Sequence, residues 1–336
     1  MRSHTVPQRL LKQFAYDDEV TRSLRLWRYT KGRPPYPRAS PKTATRVDGY
    51  FAVASDADLE SRLETRLACE IEDPVNAFLA EFSDQGLILT EAQLQQMTRY
   101  ISLLFHRCRS RRSAGSHLQE VKTYALQKFL SNERQLATVA AHWGINACLR
   151  GLMLPLITSE DVANAAGRML ASFSLPSSQQ EGFVSGLVGV FSAVDQPMLR
   201  GDWSVVRTTA NDPFILSDAP VVTWERLEGG TLSYGLGFHR PNVEVLLPVS
   251  PTACLHILPV VNRSRPSIPP SVHEINSGQA SFAYEACFAN QSKQEIDDIV
   301  QKCAGNVQFG RNAFMLWHQN YDNLIFDILM NQGPQP

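Results

Sequence analysis

The spacing of apolar residues changes near Asp202, and this change constrains the fold more than any other feature of the chain. Before it, apolar side chains recur every three or four positions, as in amphipathic helices. After it, residues 203–208 alternate apolar and polar side chains, and residues 243–248 and 254–259 form short apolar runs, which indicates strands. Helices followed by strands, without regular alternation of the two, are typical of an α+β fold.

We therefore predict one large α+β domain over residues 1–336. Its helical region is expected to form a bundle that packs against a mainly antiparallel sheet, formed largely by residues 203–260. A strand predicted at Leu24–Tyr29 could join this late sheet and tie the two ends of the chain together. The predicted regions are a basic N-terminal segment, a helical region, a sheet region and closing helices, at residues 1–57, 58–200, 201–262 and 263–336.

Local signals set the expected helix positions. Thr90, followed by Gln93, forms a capping box for a helix that ends near His106. Asp56 or Asp58 is the expected cap of a helix over residues 58–82. Further helices are predicted at residues 117–150, from 159 or 161 onward, from 177 or 178 to 194, near 277–304 and near 321–330.

Charge is segregated along the chain, although the net charge is only −1. Residues 1–46 hold eleven basic and three acidic side chains, and residues 47–106 hold three basic and eleven acidic ones. Residues 107–134 hold seven basic and two acidic ones. Such basic blocks can bind phosphate, or they can pair with the acidic block after folding, and both alternatives remain open.

Several classes of protein are disfavoured by what the sequence lacks. No apolar run approaches the roughly 18–20 residues that span a bilayer, and residues 1–4 do not lead into an apolar signal segment. We therefore expect a cytoplasmic protein without a membrane partner. The phosphate-loop, dinucleotide-binding, zincin and nucleophile-elbow motifs are also missing, which argues against the common enzyme families that carry them.

Three places could carry chemistry. His4 stands just before Pro7, which suits a first helical turn, and Gln8 lies one turn further on, so both could share a face. By residue type alone, His4 is more often an ordinary surface residue. Asp218 lies in a tight turn between two apolar runs, where a sheet can position a functional carboxylate, although Asp is also a common turn former.

The helix predicted from residue 58 has an apolar stripe, and Glu70 falls inside it on a helical wheel. A buried carboxylate needs an arginine partner or a site that shifts its pKa, and either explanation fits. Pro74 leaves the direction of Glu72 open. Arg107 belongs to an arginine cluster that could complement the helix end or clamp phosphate.

The combined pattern resembles the domain of unknown function 4238 family, over roughly residues 3–290. The resemblance rests on several short motifs: His4-Thr5-Val6-Pro7-Gln8 with Leu11 and Phe14, Leu26–Tyr29, Tyr50-Phe51, the acidic helix with Glu64, Glu70 and Glu72, Pro213–Pro220, and Pro248–Pro251. It implies a likeness of fold and of site region. It implies no reaction.

Our leading hypothesis is a hydrolase, of nuclease or phosphodiesterase type, that acts on nucleic acid or a nucleotide with or without a divalent metal ion. The residues assigned to catalysis are His4, Glu70 and Asp218. Those assigned to substrate binding are Gln8, Arg107 and Ser217, and the metal ligands are Glu70, Glu72 and Asp218. The alternative is a non-catalytic module that binds nucleic acid or protein through its basic segments.

Overall fold

The computed structural model describes most of the first three hundred residues. The described ranges are 2–52, 56, 58–79, 89–109, 112, 127–149, 157–172, 183–184, 187–188, 190–191, 195–238, 240, 242–259, 268–307 and 330. The predicted final helix near 321–330 therefore lies almost wholly outside the described residues, as does most of the helix predicted from 177 or 178 to 194.

Helices and antiparallel strands both contribute to the fold, so the α+β prediction is confirmed. The helices are α1 Gln8–Gln13, α2 Leu59–Arg66, a π-helical segment Leu67–Glu72, α3 Asp73–Leu79, α4 Glu91–Arg107, α5 Glu133–Leu149, α6 Ser159–Ser172, α7 Gln196–Leu199, α8 Val272–Phe282 and α9 Gln294–Cys303. The strands are β1 Arg2–His4, β2 Tyr16–Asp18, β3 Ser23–Thr30, β4 Arg33–Ala39, β5 Arg46–Asp48, β6 Asp202–Arg207, β7 Leu216–Ser217, β8 Val222–Arg226, β9 Leu232–Tyr234, β10 Val243–Ser250, β11 Ala253–Leu258 and β12 Cys287–Ala289.

The chain divides into two compact units. The first comprises residues 1–112 and 183–309, and the second comprises residues 113–182 and 310–336. All three sheets lie in the first unit. In the second unit, α5 and α6 pack through a small apolar core that includes Val139, Trp143 and Val162. The single large domain expected from the sequence stays a prediction.

The largest stretch of predicted sheet forms as expected. Its five strands are ordered β6-β11-β10-β8-β9, and every pair is antiparallel. All eight residues of β10 are buried, because this strand lies at the centre of the sheet. Buried central strands read as continuous apolar runs rather than as alternating ones.

The early strand β3 joins a different sheet from the one expected. The strands of this sheet are ordered β2-β3-β12-β7, and β4 also pairs with β3. Tyr29 is the partner of Cys287, and Cys287 is also the partner of Ser217. The two ends of the first unit are thus joined, but through a strand at residues 287–289 that the sequence did not predict. The helix predicted near 277–304 is correspondingly interrupted there.

The helix predicted over 58–82 contains a π-helical segment, and this segment changes which side chains are buried. Leu63, Leu67 and Ile71 face the core, as predicted. Hydrogen bonds from i to i+5 widen each turn, so the residue three positions after Leu67 rotates off the apolar face. Glu70 is therefore exposed rather than buried. The prediction for Glu70 is wrong because it assumed an unbroken α-helical wheel.

No helix among the described residues is long and apolar enough to cross a membrane.

Candidate functional site

The N-terminal motif holds its own neighbourhood in place. His4 Nε2 lies 2.9 Å from the Lys42 carbonyl oxygen, within the segment that follows β4. Ser3 donates to Glu60 Oε1 at 2.8 Å, which links β1 to α2. Gln8 is half-buried at the first position of α1. The glutamate that contacts this N-terminal segment is thus Glu60, through Ser3.

Arg107 lies in a buried ion cluster. Its side chain is 1% exposed, and its guanidinium contacts Glu72 and Glu64, the latter at 3.3 Å from Nη2 to Oε1. Tyr50 Oη donates to the Arg107 carbonyl oxygen at 2.7 Å. A buried arginine paired with two carboxylates cannot be pulled toward phosphate without leaving those carboxylates uncompensated. The substrate-binding assignment of Arg107 is therefore not supported by its environment.

Aromatic rings close over this cluster. Arg107 Cζ lies 5.5 Å from the Phe51 ring centroid, and Arg112 Cζ lies 4.9 Å from that of Tyr50. Phe183 packs against both rings, with centroids at 5.4 Å from Tyr50 and 6.1 Å from Phe51. Burial raises the pKa of Tyr50 well above its usual value. The Tyr50-Phe51 motif thus shields an ion cluster from water, which strengthens the electrostatic contacts inside it.

Glu70 lies outside that cluster. It forms a surface pair with Arg66, in which Arg66 Nε donates to Glu70 Oε1 at 2.8 Å. The hydrogen bonding from Arg66 holds the pKa of Glu70 below its usual value. The choice between Glu70 and Glu72, left open by the sequence, is settled in favour of Glu72 as the helix carboxylate that faces inward.

Asp218 is a buried carboxylate that organises a loop. It accepts hydrogen bonds from the backbone N–H groups of Tyr284, Glu285 and Ala286, at 2.7, 2.7 and 3.3 Å. Burial raises the pKa of Asp218 to about 6, and the nearby Glu285 charge acts in the same direction, although the three donors oppose it. Asp218 thus fixes the backbone that leads into β12.

Ser217 is also buried, and its hydroxyl is already used. Its Oγ donates to the Ala219 carbonyl and to Gln279 Oε1, at 2.8 and 2.9 Å. Gln279 Nε2 in turn donates to the Pro220 carbonyl at 2.7 Å. One turn earlier on α8, Asn276 holds the backbone at Ile215 and Pro213 in the same way. Ser217 is part of this clamp, and no surface is open to it for a substrate.

The predicted metal ligands are not brought together. Glu72 contacts Arg107, Glu70 contacts Arg66, and Asp218 contacts backbone amides. Within the described part of the chain, no group of three or more histidine, cysteine, aspartate or glutamate side chains could hold a metal ion. The sequence reasoning was wrong on this point because residue type and helix position do not fix which distant groups converge.

A second buried ion network lies in the large sheet. His256 Nε2 is 2.9 Å from Glu244 Oε2, and Glu244 Oε1 is 3.3 Å from Arg226 Nε. Arg226 also pairs with Glu274 at 2.6 Å, and this hydrogen bond lowers the pKa of Glu274 to about 2. His256 is therefore satisfied within the core.

The structure instead brings basic side chains together at a cavity of about 560 Å³. The hairpin of β3 and β4 forms one wall through residues 28–33, and residues 283–285 and 304–305 form the other. Volumes of 300–1,000 Å³ are typical of small-molecule sites. Three of the lining side chains are cationic, Arg28, Lys31 and Arg33, and one is anionic, Glu285.

Contacts across the cavity hold its charged groups in place. Glu285 Oε2 lies 3.6 Å from Arg28 Nη2, and Glu285 Oε1 contacts Arg109, which extends from the end of α4. Lys31 Nζ donates to the Ala304 carbonyl at 2.9 Å. Arg33 is exposed and has no ion-pair partner among the described residues. Among the described residues that line the cavity, cations therefore outnumber carboxylates three to one.

The hairpin tip is itself fixed by one side chain of α9. Gln301 Oε1 accepts from the Gly32 N–H at 2.7 Å, and Gln301 Nε2 donates to the carbonyls of Thr30 and Arg33 at 3.3 and 3.2 Å. Gly32 has φ of 74°, a conformation that favours glycine. The backbone of the tip is thus held in place by α9.

Asp218 connects the predicted site to the observed cavity, because the loop that it holds supplies Tyr284 and Glu285 to the wall. Sequence reasoning found Asp218 and the basic block that contains Arg28, but it missed Glu285. The basic block was the available signal for the cations. No local pattern marks Glu285, since its partners lie far away in the chain.

A family model for proteins of unknown function, DUF4238, matches residues 2–293. No curated protein and no solved structure matches the chain. The matched span contains the hairpin, Asp218 and the loop that it holds, and it ends before residues 304–305 of the cavity wall. The chain belongs to the DUF4238 family.

Proposed function

We propose that the protein binds a phosphate-bearing ligand, a nucleotide or the backbone of a nucleic acid, in the cavity between the β3–β4 hairpin and the 283–285 loop. The observation that carries this proposal is the excess of cations among the lining side chains, three against one carboxylate. Arginine guanidinium groups match the geometry of phosphate oxygens, and lysine adds a point charge.

The unpaired position of Arg33 supports the proposal. Arg28 and Arg109 share Glu285, and Lys31 meets a backbone carbonyl, so each of these has a partner within the protein. Arg33 is exposed at the rim and has none among the described residues. A cation without a partner beside a cavity attracts anions at low cost, because no internal contact must break.

Hydrolysis of the bound phosphate ester is the reaction to test at this site. A hydrolase needs a group that activates water, and Glu285 is the carboxylate that lines the cavity. Glu285 takes the place of His4, Glu70 and Asp218 in the catalytic hypothesis, because Glu285 lines the cavity and those three residues do not.

Isothermal titration with inorganic pyrophosphate and with ATP tests binding directly. We expect both probes to bind the wild-type protein, and the variant Arg33→Ala to bind them several-fold more weakly. Lys12→Ala is the matched control, because Lys12 is an exposed cation on α1 and does not line the cavity. Equal affinities for wild type, Arg33→Ala and Lys12→Ala would rule out this cavity as the phosphate site.

Phosphate release from ATP and cleavage of a labelled oligonucleotide, each with Mg²⁺ and with a chelator, test the reaction. Glu285→Gln keeps the shape of the side chain and should abolish turnover while binding is retained. Turnover at the wild-type rate in Glu285→Gln would remove Glu285 from the mechanism. Tight binding without turnover in the wild type, at any metal condition, would identify a binding module.

A further inference from the structure

We propose that the ligand of this cavity is single-stranded nucleic acid, and that its bases stack on Tyr36 and Tyr284. The inference rests on the phosphate-binding function proposed above. It adds the bases of the ligand, which phosphate contacts do not specify. Two exposed rings beside an excess of cations are the features that bind unpaired bases and their backbone together.

The exposure of the two rings sets them apart. Among the described residues, Tyr36 and Tyr284 are the aromatic side chains that are more than half exposed, at 58% and 53%. Tyr284 lines the cavity. Tyr36 lies on β4 directly opposite Arg28, a cavity residue on β3. Directly opposite residues on antiparallel strands project to the same face, so Tyr36 stands beside the cationic wall.

The backbone around Tyr36 disfavours pairing with a further strand and leaves the Tyr36 ring available for stacking. It is flanked by Pro35 and Pro37, and Pro34 precedes them in the same strand. β4 pairs with β3 alone, and proline has no N–H to offer to a further strand. Pairing with a partner strand at this edge is therefore disfavoured. The fixed φ of the prolines also holds the ring with little entropy left to lose on binding.

The buried carboxylate of Asp218 anchors the backbone of Tyr284. Its backbone N–H donates to Asp218 Oδ1 at 2.7 Å, and its ring centroid lies 6.0 Å from Arg109 Cζ. The backbone is thus anchored while the ring remains open to solvent. A base stacked on this ring would find cationic groups for its phosphate on the opposite wall of the same cavity.

Single strands fit this arrangement better than duplexes. In a duplex, the base faces are covered by neighbouring base pairs, so a protein ring reaches them only where bases are unpaired. One ring that lines the cavity and one that lies opposite Arg28 on the hairpin suit a few successive nucleotides rather than a single phosphate. RNA and DNA share this chemistry, and direct comparison distinguishes them.

Fluorescence anisotropy with labelled single strands of about eight nucleotides tests the inference, because such modules typically cover about 4–16 nucleotides. The probes are an RNA strand, a DNA strand, the corresponding duplexes, and an abasic strand with the same number of phosphates. We expect at least one single strand to bind about tenfold more tightly than its duplex and than the abasic strand.

Tyr36→Leu and Tyr284→Leu should each weaken single-strand binding by about tenfold, because each removes one stacking platform. Tyr36→Phe and Tyr284→Phe keep the ring and should bind as the wild type does. Binding of the abasic strand and of pyrophosphate should be unchanged in all four variants. Circular dichroism would verify that the variants remain folded, as expected for exposed positions.

Equal affinity for the abasic strand and the natural strand, or wild-type binding in both leucine variants, would overturn the inference. If pyrophosphate still bound the wild type and its binding depended on Arg33, the proposed phosphate-binding function would stand without the base-stacking inference. If no phosphate probe bound the wild type, both would fail. Duplex binding equal to single-strand binding would likewise overturn the base-stacking inference.

Discussion

At the scale of single residues, Asp218 shows how a position can be singled out from the sequence without its role being known. The turn chemistry around it marked a fixed carboxylate, and the structure places one there. Its function within the fold is to orient three backbone amides, because a buried carboxylate needs donors. Two side chains of the loop that those amides belong to, Tyr284 and Glu285, line the cavity.

The raised pKa of Asp218 predicts a specific pH dependence. The folded state binds this proton more tightly than the unfolded state, since the pKa is about 6 when folded and 3.8 ordinarily. The associated stability is fully present below pH 3.8 and is lost as the pH rises through 6. One pKa unit corresponds to about 1.4 kcal/mol, so the total loss approaches about 3 kcal/mol.

Urea denaturation of the wild type and of Asp218→Asn at pH 4, 5, 6 and 7 measures this effect. The difference between the two free energies of unfolding should shift against the wild type as the pH rises, because other titrating groups are common to both proteins. Parallel pH profiles for the two proteins would contradict the assignment of this pKa to Asp218.

At the scale of elements, the π-helical segment decides which acidic residue belongs to the core. A wheel drawn at 3.6 residues per turn selects Glu70, whereas the widened turns select Glu72. Helix ends with local caps were predictable, as the capping box of Thr90 and Gln93 shows. A π turn has no comparable local signal, so the register beyond Leu67 could not be predicted.

Glu72→Ala and Glu70→Ala form a matched pair that tests this register. Glu72→Ala removes one partner of a buried arginine and should lower the free energy of unfolding by about 3 kcal/mol. Glu70→Ala breaks an exposed pair and should leave stability close to that of the wild type. Chemical denaturation resolves the two cases, and equal effects would show that the helix keeps an α-helical register.

Helix α9 positions the hairpin tip through Gln301, which suggests a test that changes no charge. Gln301→Ala removes three hydrogen bonds to the tip and should weaken pyrophosphate binding several-fold, because the cations lose their fixed placement. Gln294→Ala on the same helix is the control, since Gln294 is exposed and bonds only to Asp298 among the described residues. An unchanged affinity in Gln301→Ala would show that the tip needs no such support.

At the scale of the whole molecule, the acidic and basic blocks of the sequence contribute residues to two different places, the core and the cavity. Part of the acidic block pairs with Arg107 in the core, as Glu64 and Glu72 do. Part of the N-terminal basic block remains at the cavity, as Arg33 does. The sequence left two alternatives open: the structure shows the charge pairing, and phosphate binding by the remaining cations is the function proposed above. Composition could locate the basic block, but the loop that faces it lies some 250 residues later and could not be inferred from local pattern.

Salt dependence is expected from the excess of cations among the residues that line the cavity. For single-stranded nucleic acid, the slope of log affinity against log salt is about −0.7 for each phosphate neutralised. Engagement of Arg28, Lys31 and Arg33 therefore predicts a slope near −2. Arg33→Ala should make the slope shallower by about 0.7, whereas Lys12→Ala should not change it. Anisotropy titrations between 50 and 300 mM salt measure both slopes, and a salt-independent affinity would contradict an electrostatic mode of binding.

The pairing of β3 with β12 has a consequence for the order in which the protein matures. One wall of the cavity is made of residues 28–33, and the other ends at residue 305. During synthesis, the first wall leaves the ribosome long before its counterpart exists, and strand pairing over such a separation is slow. A nascent chain carries the cationic hairpin without the loop that completes the cavity, so the binding proposed above requires that synthesis has passed residue 305.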